Sequence, residues 1–143
     1  MKKIIIAVLA LLSLNIASAQ FQVADTAPTI YVVYGMKAGV SLKYTKIGEE
    51  ANYYLQLNTT NQFDGAMLIH LGNREQARTS LSQLLNELYE MDKAYTLNDS
   101  LGRPFKAICS KIMGAEGYAI FKEDYAGHAY IRLKQLADML AKM

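Results

Sequence analysis

The stretch AMLIHLGNREQARTSLSQLLNELYEM, residues 66–91, changes its hydrophobic rhythm partway through. Ala66 to Leu71 is a short apolar run bounded by turn residues, which reads as a strand. Asn73 stands three residues before Gln76, so each side chain can satisfy a free backbone N–H at a helix start. Beyond it Ala77, Leu81, Leu84, Leu88 and Met91 recur at steps of four and three. That period predicts a helix over Arg74–Met91 with one apolar face. A strand running into an amphipathic helix argues for an α+β domain in which the helix covers a sheet.

The segments upstream fit such a sheet. Ile30 to Met36 is rich in Tyr and Val, and Val40, Leu42 and Tyr44 alternate with Ser41, Lys43 and Thr45. After Gly48-Glu49-Glu50, Tyr53, Leu55 and Leu57 alternate with Tyr54, Gln56 and Asn58, completing a hairpin. Downstream, the polar segment Asn98–Pro104 is a loop. Phe105–Met113, Tyr118–Lys122 and Ala129–Leu133 then read as strands, and Lys134–Met143 as a helix with Leu136, Leu140 and Met143 on one side. The expected fold is a mostly antiparallel sheet of about six or seven strands with two amphipathic helices on one face. Lys46-Ile47-Gly48 is echoed by Lys111-Ile112-Met113-Gly114, and Asp64-Gly65 by Ala126-Gly127, which suggests a duplicated strand-strand-strand-helix unit.

The N-terminus reads as a cleavable export signal over residues 1–19: Lys2 and Lys3, then the uncharged run Ile4–Leu14, then the small residues Ala17-Ser18-Ala19. The apolar run is too short to span a bilayer, so no membrane insertion is expected after cleavage. Residues 20–29 follow as a flexible tail and residues 30–143 as a single domain. Losing Lys2 and Lys3 leaves equal numbers of basic and acidic residues, which removes the compositional case for a nucleic-acid partner. With Cys109 as the only cysteine, no internal disulfide is possible and packing must stabilise the fold.

Candidate chemistry is sparse. Cys109 is the one nucleophile worth weighing, with His70 and His128 as conceivable activators. Its neighbours Ala107, Ile108 and Ile112 instead predict a small apolar residue inside a strand. The two histidines have no metal-ligand spacing, and the glycines form neither a P-loop nor a dinucleotide fingerprint, so no metal or cofactor is expected. The ten tyrosines are more suggestive, because a ring with a wet hydroxyl suits a contact surface. Tyr54, His70, Tyr125, His128 and Tyr130 are the expected ligand or partner surface. Asp25-Thr26-Ala27 and Asp99-Ser100-Leu101 are similar to a bacterial O-glycosylation acceptor, which marks Thr26 and Ser100. Asn58-Thr59-Thr60 and Asn98-Asp99-Ser100 also fit the N-glycan pattern.

These readings predict an exported, periplasmic or extracellular, non-catalytic module that binds a protein or surface ligand. The alternatives are a small Cys- or His-dependent hydrolase or transferase, and a homo-oligomeric assembly subunit pairing through a strand edge or helix stripe.

Overall fold

The computed structural model describes residues 28–143. The expected signal at residues 1–19, most of the expected tail at residues 20–29, and Thr26 lie outside the described residues.

Strands β1 (Thr29–Lys37), β2 (Val40–Ile47), β3 (Glu50–Leu57) and β4 (Met67–Gly72) form an antiparallel meander paired in chain order. Helix α1 (Arg74–Ser82) continues into a π-helical turn at Gln83–Glu87. A second four-stranded meander follows, β5 (Ala94–Asn98), β6 (Pro104–Ile112), β7 (Ala115–Phe121) and β8 (Ala129–Arg132), and the chain closes with α2 (Leu133–Lys142). Period-two patterning decides which face each strand buries. Leu42 lies opposite Leu55, which lies opposite Ile69, and all three are buried, whereas Lys43, Tyr54 and His70 occupy the other face. The turns Ala38-Gly39 and Met113-Gly114 place both central residues at positive φ, the two-residue geometry that matches strand twist.

The α+β class is as expected, but the single sheet of six or seven strands is corrected to two sheets of four. One reason is a strand missed in the sequence. β5 carries half-buried Tyr95 and Leu97 alternating with exposed Ala94, Thr96 and Asn98, a five-residue pattern just ahead of the polar loop. The other reason is that, among the described residues, β4 ends its sheet without a neighbouring strand. Its edge bonds to loops and side chains of the second half: Lys122 Nζ donates to Leu68 O at 2.9 Å and Tyr125 Oη to Ala66 O at 3.0 Å. Ser100 N donates to His70 O at 2.8 Å, and His70 N donates to Asp99 Oδ2 at 3.3 Å. Strand content is legible from periodicity, but the partner of an edge is set by such tertiary contacts.

Both halves run four antiparallel strands and then a helix, one strand more than the expected repeat in each. Their inward faces and both helices share one core, including Leu42, Leu55, Ile69, Leu81, Ile120, Ile131, Leu136 and Met139. The Asn73–Gln76 capping box is present, with both reciprocal bonds at 2.9 Å. The expected single helix to Met91 is corrected: it passes into the π-helical turn and ends at Glu87, and Met91 lies exposed in the turn that leads to β5. In α2 the buried positions are Gln135, Leu136 and Met139, and Leu140 is only half-buried. Gln135 is drawn inward because its amide donates to Lys37 O and accepts from Arg132 N, each at 2.9 Å.

Candidate functional site

A deep concavity lies on the seam between the two sheets, beneath α1, with a volume near 520 Å³. That falls within the roughly 300 to 1,000 Å³ typical of small-molecule sites. Its floor is apolar because alternation turns the same rows of both sheets inward. Leu55, Leu57, Ile69 and Leu71 come from β3 and β4, and Leu97, Phe105, Ile120 and Ile131 from β5 to β8. Leu84 and Leu88 descend from the π-helical turn and its end to form the throat. Most floor residues are shielded from water, while Leu88 and Leu97 nearer the mouth are half-buried. The rim is polar, built by Asn73, Glu75, Gln76, Thr79, Ser80 and Gln83 on one side and by Asn98 at the end of β5 with Asp99 and Ser100 in the β5–β6 turn on the other.

The π-helical turn is held open by two donors from the second sheet. The buried Tyr118 hydroxyl donates to the Leu84 carbonyl, and the Cys109 thiol donates to Leu88 O at 3.7 Å. Tyr118 also packs edge-on against Tyr89, with ring centroids 5.7 Å apart. Burial is the main cause pushing the Tyr118 phenol well above its ordinary range, so it remains a donor. Cys109 is 0% exposed and faces the back of this turn, as its apolar sequence neighbours suggested. Lys111, which nominally shares its face by alternation, lies exposed near the strand end.

The rim turn is organised by Asp99. Its carboxylate accepts from the backbone of Leu101 at 3.0 Å, Arg103 at 2.9 Å and His70 at 3.3 Å. These bonds commit Asp99 to fixing the turn. They leave Ser100 exposed at the cleft mouth with its own N–H bonded to His70 O.

The five residues expected to form one contact surface are divided. Tyr54 and His70 do meet, with ring centroids 6.1 Å apart, in a shallower groove of about 460 Å³ on the outer face of the first sheet, together with Thr45, Asn52 and Gln56. His70 also borders the cleft. Burial is the main cause lowering the His70 pKa; Arg103 and Lys122 lower it further, while Asp99 acts the other way. His128 and Tyr130 form a separate cluster with Phe121: His128 stacks on Phe121 at 4.9 Å and shares a 2.7 Å hydrogen bond with Tyr130 Oη. Tyr125 spends its hydroxyl on the Ala66 carbonyl.

The two loops judged equivalent in sequence touch each other. Asp64 Oδ2 accepts from Gly127 N and Thr59 Oγ1, each at 2.8 Å, and Asp64 Oδ1 from Ala126 N at 3.2 Å. The Gly127 bond leads in holding the Asp64 carboxyl below its usual range.

Sequence reasoning missed the cleft altogether, because its floor residues read only as core and its throat depends on the π-helical turn. It also missed a ladder of tyrosines across three strands, in which Tyr31 stacks on Tyr44 at 4.8 Å and Tyr44 on Tyr53 at 4.9 Å. Among the described residues, no group of three or more His, Cys, Asp or Glu side chains is placed to hold a metal, and no helix is long and apolar enough to cross a membrane. Comparison with protein-family models, with curated proteins and with solved structures finds no match for this chain.

Proposed function

We propose that this chain is an exported, non-catalytic binding module, and that its ligand is a small, largely apolar molecule taken into the cleft between the two sheets. The observation that carries the reading is the cleft itself, an apolar floor of about 520 Å³ under a polar rim. The buried position of Cys109 against a backbone carbonyl favours binding over thiol chemistry. Export rests on the signal-like residues 1–19. The repeated order of four strands and a helix supports reading the halves as copies of one unit, with the cleft at their junction.

The test is titration of the domain with the uncharged fluorophore N-phenylnaphthylamine. Fluorescence rises saturably for the parent protein and fails to rise for Thr79→Trp, in which an exposed rim position carries a side chain large enough to block the mouth. An unchanged titration in a folded Thr79→Trp protein contradicts the reading.

A second reading, self-assembly, is favoured by β1. This strand is a sheet edge, Ile30 and Val32 are 58% and 59% exposed, and no charge falls between Thr29 and Met36. Antiparallel pairing about Tyr31 would set Ile30 opposite Val32 of a second copy and extend the tyrosine ladder across the dyad. Sedimentation that shows a monomer at all concentrations, for both the parent and Val32→Lys, would exclude it.

A further inference from the structure

We infer that the cleft selects a single-chain amphiphile with an uncharged, hydrogen-bonding head group, and rejects the corresponding free fatty acid. This rests on the proposed cleft reading and adds the chemistry of the ligand. An apolar floor closed by packed leucines and isoleucines suits a hydrocarbon chain entering between Leu88 and Leu97. The head must then lie at the rim, and the rim decides its charge.

Among the described residues lining the cleft there is no lysine or arginine. Glu75 is acidic, and Asp99 already accepts from three backbone donors. Arg103 and Lys122 act on His70 from outside this lining, Lys122 with its ammonium on Leu68 O. A carboxylate head brought to the rim would therefore lose water, find no cation among the described lining residues and face two acidic side chains, an arrangement that is costly wherever solvent is partly excluded. Thr79, Ser80, Gln83, Asn98 and Ser100 instead offer hydroxyl and amide groups that both donate and accept. Ester and hydroxyl groups of a neutral head match that set. A cationic head finds Glu75 on an exposed helix turn, where a single ion pair adds little, and an Asp99 carboxylate already committed to three backbone donors. Selection here comes mainly from what the rim withholds, a counter-charge for an anion.

The experiment displaces N-phenylnaphthylamine from the full domain with lauric acid, its glycerol monoester and dodecyltrimethylammonium, at mildly alkaline pH and below their micellar concentrations. The glycerol ester displaces at about tenfold lower concentration than laurate or the ammonium, a difference of about 1.4 kcal/mol. In Thr79→Lys, which places an ammonium on the rim, the preference shifts toward laurate. If the fluorophore binds but laurate or the ammonium competes as well as the ester, the inference is wrong and the cleft reading survives. If neither the fluorophore nor any of the three binds, the cleft reading fails and the inference falls with it.

Discussion

Removing one oxygen from the core, by Tyr118→Phe, should destabilise the domain and loosen the cleft throat. The ring stays in place, since Phe keeps every carbon that packs against Tyr89 and the core around Ile120. What is lost is the hydroxyl that satisfies the Leu84 carbonyl in the π-helical turn. A buried carbonyl left without a donor costs about 1 to 3 kcal/mol, and the small void left by the oxygen adds to it. With Tyr118 0% exposed and Leu84 only 6% exposed, water has little access to repair the loss, which places the expected value near 2 kcal/mol. Urea unfolding followed by circular dichroism should show a lower midpoint with an unchanged slope. Because Leu84 lines the cleft, fluorophore affinity should fall as well. A stability change of only a few tenths of a kcal/mol would refute the claim that this hydroxyl holds the turn.

Gly117→Ala should cost about 2 to 3 kcal/mol, since a Cβ there would meet Ile131 O at 2.4 Å and Arg132 Cα at 2.9 Å and push β8 off its partner; urea midpoints measure it. Ser41→Ala should raise stability by about 1 kcal/mol in the same assay, because the Ser41 hydroxyl is buried without a hydrogen-bond partner. Stability followed against pH should fall in two stages on acidification. His70, whose folded pKa is lowered, contributes fully above its ordinary value of 6.5 and loses that contribution below it, so His70→Gln removes the first stage. Asp64, also lowered, contributes above about 3.8 and loses this as pH falls through its folded value, so Asp64→Asn removes the second.

How far these features can be read from the sequence depends on how local their causes are. The Asn73–Gln76 cap and the alternation in β2 and β3 were legible because each depends on neighbours within a few residues. The burial of Cys109 was legible from Ala107 and Ile108 for the same reason. β5 was obscured because Ala94 to Asn98 is short and merges into the polar turn. The division into two sheets depends on Asp99, Lys122 and Tyr125 reaching β4 across 29 to 59 residues of chain, which no local pattern encodes. The cleft is hidden for a related reason. Leu57, Ile120 and Ile131 look like any core residues until the π-helical turn, fixed by a tyrosine 34 residues away, leaves space above them. The surface expected from Tyr54, His70, Tyr125, His128 and Tyr130 relied on residue type alone, and type does not say that Tyr125 is occupied with a backbone carbonyl.

The most direct test of the cleft as the ligand site is a methyl-resolved NMR titration of the domain with the glycerol ester of lauric acid. The account predicts saturable shifts at Leu55, Ile69, Leu84, Leu88, Leu97 and Ile131, with Val32 and Ile108 unmoved. Shifts confined to residues around the outer groove, such as Leu68, or no shifts at all, would contradict it.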